Sequence, residues 1–280
     1  MDLSSRMVGL FLVTFVVSLC TRGAHAQNRT WRPFGVQRSY SDPNFNRNNT
    51  SFHRHSSFSR RDHCTTNYKF DFVKLSLLWA PGDCSTSPQE CKREVNTHMT
   101  VHGMWPTING REGPNDCCFD NVFDYRAIQP LLPLLNEYWF SYYDSSDNRR
   151  FWSHEWLKHG TCARDIPTLR GELNYFGTTV KLAKQMPILD ILKKSNIVPN
   201  NTKAYDSKDI IAALNPLAQG KTFQIDCDYE HSQPIPVLKG LNFCFDVNIK
   251  PTDCPEMKRR CQRQVIIPVS SKRTSILWFV

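Results

Sequence analysis

The chain has 280 residues, 35 lysines and arginines against 26 aspartates and glutamates, a formal charge of +9, and 11 cysteines. After one short apolar run near the start, no stretch reaches the roughly 20 apolar residues that a spanning helix needs, so no membrane span is expected beyond that run. The basic excess is local. Residues 27–62 hold seven arginines against Asp42 and Asp62, a balance of +5; residues 1–26 carry +1 and residues 63–280 the remaining +3.

In chain order, Arg6 precedes an apolar run from Met7 to Cys20, followed by Ala24-His25-Ala26, small residues at both positions a signal peptidase reads. Residues 1–26 are therefore expected to be a secretory signal cleaved before Gln27; the alternative is a membrane anchor, for which the run is short. Residues 27–63 are rich in Asn, Ser and Arg and poor in aliphatics. Too little apolar surface is available there to offset the ordering entropy, so the segment is expected to be disordered. It would serve as a glycosylated spacer or a propeptide trimmed near Arg60-Arg61, with weak binding of anionic surfaces as the other reading. Sequons begin at Asn28, Asn48, Asn49 and Asn200 and are candidate glycosylation sites on a secreted chain. Cys20 would leave with the signal. Ten cysteines then remain, an even number that in an oxidising compartment points to disulfides: Cys64, Cys84, Cys91, Cys117, Cys118, Cys162, Cys227, Cys244, Cys254 and Cys261.

Residues 64–268 are long enough for one well-buried domain, with 269–280 as a C-terminal tail. Phe70 to Trp79 reads as a central strand closed by Pro81-Gly82, and Thr97 to His102 as a second, stopped by Gly103 and Pro106. Tyr125 to Tyr143 and Arg150 to His159 read as helices, the second ending at Gly160. Gly171 to Lys184, Leu189 to Lys194 and Ser207 to Leu217 are further helices; Lys221 to Tyr229 and Val237 to Ile249 return to strand. Mixed runs without regular strand–helix alternation predict an α+β fold, a central antiparallel sheet flanked by helices in a single disulfide-rich domain.

Two short segments concentrate the reactive side chains. In Met99-Thr100-Val101-His102-Gly103-Met104-Trp105-Pro106, a histidine at a strand end is placed to reach a cleft. By itself such a histidine is more often structural. In Phe151 to Cys162, His154, Glu155, Lys158 and His159 fall within a sector of roughly 140° on one helix face, with Trp152, Trp156 and Leu157 largely off it. The bland alternative is an exposed face with Glu155 salt-bridged to Lys158 or His159. A zinc motif would need histidines at i and i+4; here Lys158 holds that place and His159 follows at i+5, so no metal is expected. Two imidazoles titrating near neutrality, with an ammonium and a third imidazole, suit phosphoryl transfer without a metal.

Both segments resemble the active-site motifs of the ribonuclease T2 family. Val101-His102-Gly103-Met104-Trp105-Pro106 is similar to its Ile-His-Gly-Leu-Trp-Pro, and His154 to Cys162 matches its His-Glu-Trp-x-Lys-His-Gly-Thr-Cys at every fixed position. The first strand with Trp79 and the last four cysteines extend the likeness over residues 64 to about 268. The resemblance implies a secreted endoribonuclease, with lysosome or vacuole as other destinations. It would cleave single-stranded RNA, not DNA, through a 2′,3′-cyclic phosphate. It implies His159 as base, His102 as acid, Glu155 and Lys158 stabilising the transition state, His154 on phosphate, and Trp105 and Phe151 lining the pocket for the base 5′ to the cut. Disulfides Cys84–Cys91, Cys227–Cys261 and Cys244–Cys254 follow from it, with Cys162 joined to Cys117 or Cys118 and Cys64 taking the other. No cofactor is implied, and a monomer is expected. Two departures touch base preference: Leu77 and Leu78 stand where members often carry glutamine, and Thr107 where some place an aspartate. The alternative is a catalytically weak secreted recognition protein of the same fold; retention of His102, His154, His159, Glu155 and Lys158 speaks for the enzyme.

Overall fold

The computed structural model describes residue 64 and residues 69–109, 111–118, 122–144, 147–230, 233–255, 261 and 263–271. The expected signal sequence, the basic segment 27–63 (Cys64 itself being described), the sequons at Asn28, Asn48 and Asn49 and the tail beyond Ser271 lie outside the described residues. Asn200 is exposed, and its Oδ1 accepts hydrogen bonds from the Thr202 and Lys203 amides.

Strand β1 (Phe72–Leu78) lies between two antiparallel neighbours, β2 (Thr100–Thr107) and β5 (Val237–Phe245). Its alternation explains that place: Val73, Leu75 and Leu77 enter the main core, while Lys74 and Ser76 face the other way. The sheet runs in the order β2-β1-β5-β7-β3, with β3 at Ala204–Asp206 and β7 at Gln264–Ile266. Strands β4 (Gln224–Asp228) and β6 (Pro251–Thr252) also pair with β5. The fold is α+β, and all strand pairs are antiparallel except β5 with β7, which meet in parallel at Val237 and Ile266. Strands β3, β6 and β7 have two or three residues each, too few for an alternating pattern to announce them in the sequence.

Strand β2 corrects the expected stop at Gly103 and Pro106: it continues through both. Pro106 sits opposite Val73 and is tolerated because β2 is the outer strand, whose free edge needs no donor. Between Ser76 and Leu77 the register slips, so that Gly103 and Val101 are paired and His102 is the extra residue of a bulge. Strand β1 ends before Pro81-Gly82 as expected, and these two residues lie in the first turn of helix α1 (Ala80–Thr86).

The stretch Tyr125 to Tyr143 is not one helix. Pro130 and Pro133 divide it into a 3-10 segment, Tyr125–Leu131, and a short helix α2, Leu132–Tyr138. Helix α3 (Arg149–Lys158) passes into another 3-10 turn at Gly160–Ala163. Gly160 is less a stop than a contact: a Cβ there would meet the Trp156 ring at 2.3 Å. Helices α4 (Glu172–Lys184), α5 (Ile188–Lys194) and α6 (Ser207–Leu214) complete the helical layer. Trp139, Trp152, Trp156, Tyr175 and Phe176 fill the space between helices and sheet. Disulfides join Cys64 to Cys118, Cys84 to Cys91, Cys117 to Cys162, Cys227 to Cys261 and Cys244 to Cys254. The ordered chain continues past Pro268: the Val269 amide donates to Asn201, and Ser271 bonds Glu94.

Candidate active site

The bulge on β2 decides where His102 points. An extra residue cannot join the ladder, so its side chain is re-aimed and its carbonyl is released. The Trp139 indole N–H donates to that carbonyl at 3.1 Å, and the buried Tyr175 hydroxyl donates to the Met104 carbonyl at 2.8 Å. Two large core side chains thus clamp the strand on either side of Gly103. His102 then lies half-buried with its ring centroid 5.0 Å from that of Trp105 and 6.3 Å from that of Phe151.

Helix α3 supplies the other half. Glu155 is 2% exposed and lies on the buried side with Trp152 and Trp156, and its Oε2 accepts the Trp105 indole N–H at 2.9 Å. The alternative of a solvent-exposed salt-bridged face therefore fails for Glu155. His159 has left the helix as its C-terminal cap, with φ −118° and ψ −46°. This turn places its ring 5.3 Å from Trp105 and 6.3 Å from His154. The turn is held from outside: the Asp116 amide donates to the Lys158 carbonyl, the Cys162 amide to the His159 carbonyl, and Cys117–Cys162 ties the two segments. His154 is exposed at the rim, Lys158 half-buried. His102, His159 and Glu155 thus meet at one indole, Trp105, with Phe151 beside His102 and His154 beside His159.

Burial governs the electrostatics. Desolvation pushes the His102 imidazole down to about 4, opposed by Asp83 and reinforced by His154, Lys239 and Lys74. His159 is pushed down to about 3 by burial, then by Lys158, His154, His102 and Lys74. Glu155 rises to about 7 because burial outweighs the Trp105 hydrogen bond and the Lys158 charge. Its native pKa exceeds the unfolded value, so ionising it costs stability as pH rises from the unfolded pKa towards 7. Glu155→Gln is therefore expected to stabilise the fold by on the order of 2–3 kcal/mol at pH 8 and to lose that advantage below pH 4, read by thermal unfolding at both pH values.

The donor atoms of His154, Glu155 and His159 lie within 4.8 Å of one another, close enough to surround a cation. Their chemistry does not fit one. Glu155 leans to its neutral form, already spends Oε2 on Trp105, and has the Lys158 ammonium beside the cluster.

Fold and site define a class: a disulfide-braced α+β domain in which a sheet edge and one helix end pool imidazoles, a carboxyl group and an ammonium beside a half-buried indole. Comparison with known proteins makes this specific. The ribonuclease T2 family model matches residues 70–254, and the chain belongs to that family. It is 37% identical over 131 residues to Ribonuclease Oy of Magallana gigas, a match covering 46% of this chain and 61% of that protein. The chain thus spans about three fifths of that relative's length. Among solved structures, RNase NT in complex with 5′-AMP is 28% identical with a TM-score of 0.64. Trichomaglin, described as an S-like ribonuclease, is 34% identical with a TM-score of 0.58. Each covers 71% of this chain and 98% of its own.

Sequence reasoning missed four residues of the site: Lys74, Asp83, Trp139 and Tyr175. The last three lie outside the motifs and act through hydrogen bonds or charge across other elements, which leave no local signal. Lys74 interrupts an otherwise apolar strand, and that oddity was visible.

Proposed function

We propose that the protein is a secreted endoribonuclease that cleaves single-stranded RNA by metal-independent transphosphorylation. The observation that carries this reading is the placement of the His102 and His159 rings, each about 5 Å from the Trp105 indole, with Phe151 beside His102. Aromatic rings that keep part of their surface open, as Trp105 and Phe151 do, suit unpaired bases. One neutral imidazole takes the 2′-hydroxyl proton, and one protonated imidazole gives a proton to the leaving 5′-oxygen. The likeness of the two motifs to those of the ribonuclease T2 family supports His102 as acid and His159 as base. Glu155 and Lys158 stabilise the charge developing on phosphorus oxygens, and His154 at the rim contacts phosphate. The disulfides and the signal-like residues 1–26 support secretion.

The pH dependence follows from the shifts. A histidine acid works only when protonated, and its pKa is lowered, so activity falls as pH rises through that value. Bound phosphate is anionic and raises it again. The descending limb of kcat, which reports the complex, should therefore lie at higher pH than that of kcat/KM, with both on the acid side of neutrality. Digestion of labelled RNA oligomers across pH 3–8, with and without EDTA, tests the reading. Cleavage to cyclic phosphate ends that survives chelation is expected. Loss on chelation with rescue by a divalent ion overturns the metal-independent step, and RNA binding without cleavage points to a recognition protein.

A further inference from the structure

One charged side chain beside Trp105 has no part in the proton transfers. Lys74 stands on β1 directly opposite Trp105 in the β1–β2 register, with Cys244 opposite it on β5. Its Nζ lies 5.2 Å from the centre of the same indole that both imidazoles flank. It comes from the sheet, whereas His154 and Lys158 come from α3. That cation–π contact holds the ammonium against the indole, and the carboxylates of Asp226 and Glu112 attract it as neighbouring charges. An indole face accepts no hydrogen bond along a lone pair, so a half-buried ammonium held there gains from a ligand that brings an acceptor.

The neighbouring groups narrow what the partner is. Leu78, on the same face of β1, offers no polar atom. The Thr107 hydroxyl already donates to the Trp105 carbonyl at 2.9 Å. Lysine therefore supplies the hydrogen-bonding charge at the edge of whatever stacks on Trp105. An ammonium has donors only. Guanine presents two adjacent acceptors, N7 and O6, whereas adenine sets an amino donor beside its N7, cytosine also shows an amino donor, and uracil sets its O4 between the N3–H donor and the apolar C5.

We infer that Lys74 determines base specificity, donating to the acceptor edge of a guanine stacked on Trp105, so that the enzyme prefers to cut on the 3′ side of guanosine. This rests on the ribonuclease reading above. The test is the ratio of kcat/KM for GpU over ApU, measured for the wild type and for Lys74→Met, which keeps the length of the apolar stem. A ratio cancels effects common to both substrates, including the field that Lys74 exerts on His102 and His159. The wild-type ratio is expected to exceed about 10, and the variant should lower it at least tenfold, within the usual worth of a base-edge contact. A wild type without guanosine preference, or a ratio in Lys74→Met within twofold of wild type, overturns the inference while leaving the ribonuclease reading intact. Were the wild type inactive on every dinucleotide, the ribonuclease reading would fail instead. Equilibrium binding of 2′-GMP against 2′-AMP, followed by tryptophan fluorescence in both proteins, then decides the role of Lys74 without turnover: the same loss of discrimination supports it, and unchanged discrimination overturns it.

Discussion

Alanine at His159 or at His102 is expected to lower turnover on RNA by about 100- to 10,000-fold, the usual worth of a positioned proton donor or acceptor. The two losses need not add, because both imidazoles serve one transition state. Their roles separate on a substrate whose leaving group needs no proton, such as a uridine 3′-aryl phosphate with an acidic phenol. There His102→Ala should recover most of its activity. His159→Ala should stay poor, since the 2′-hydroxyl must still lose its proton. Recovery in His159→Ala instead means that the roles are exchanged. Equal impairment of both on both substrates points to a binding or folding defect and removes the assignment of acid and base.

Much of this site was legible because its chemistry is compressed into two short segments. His154, Glu155, Lys158 and His159 lie within six residues, so helical spacing alone brings three of them together, and His159 joins them by ending the helix. What spacing could not supply was depth. Helical geometry puts Glu155 in the same sector as Lys158, yet Glu155 is buried against β2 and bonds Trp105 across fifty residues of chain. The partner that draws it inward belongs to another element, and no pattern within α3 records it.

The fold shows the same division. Strands β1 and β5 are long and apolar enough to be read, and their pairing follows. Strand β2 was cut short at Gly103 because glycine and proline ordinarily punctuate. Here an edge position excuses Pro106, and a close approach requires Gly103. Helix α2 failed in the other direction: aliphatic residues at helical spacing around Pro130 and Pro133 suggested continuity that the prolines forbid. For β2 the deciding fact was what lies opposite the residue in space; for α2 it was the prolines themselves.

Gly103→Ala should therefore disable the enzyme although it touches neither imidazole. A Cβ at this position would lie 2.1 Å from the Trp105 Nε1 and 2.2 Å from the Glu155 Oε2, the two atoms that bond each other at 2.9 Å. One of the three must move. The strand cannot easily yield, because Trp139 and Tyr175 hold the carbonyls of His102 and Met104. The displaced group is then the indole or the carboxyl group, and either change removes the surface around which His102 and His159 are arranged. Misplacement by about 1 Å costs on the order of 100-fold in rate, so kcat/KM is expected to fall at least that far. Crowding the buried contact should cost a further 1–3 kcal/mol or so of stability, too little to unfold a domain crossed by five disulfides. Gly177→Ala provides the contrast. It lies within α4, where a Cβ meets only Leu131 at 3.6 Å, and alanine there should raise stability by about 0.5–1 kcal/mol with activity unchanged. Kinetics and thermal unfolding of the two variants side by side decide the matter. If Gly103→Ala keeps wild-type kcat/KM, the Trp105–Glu155 hydrogen bond is not what sets the positions of the two imidazoles. A loss of activity at full thermal stability would locate the whole effect in that one contact.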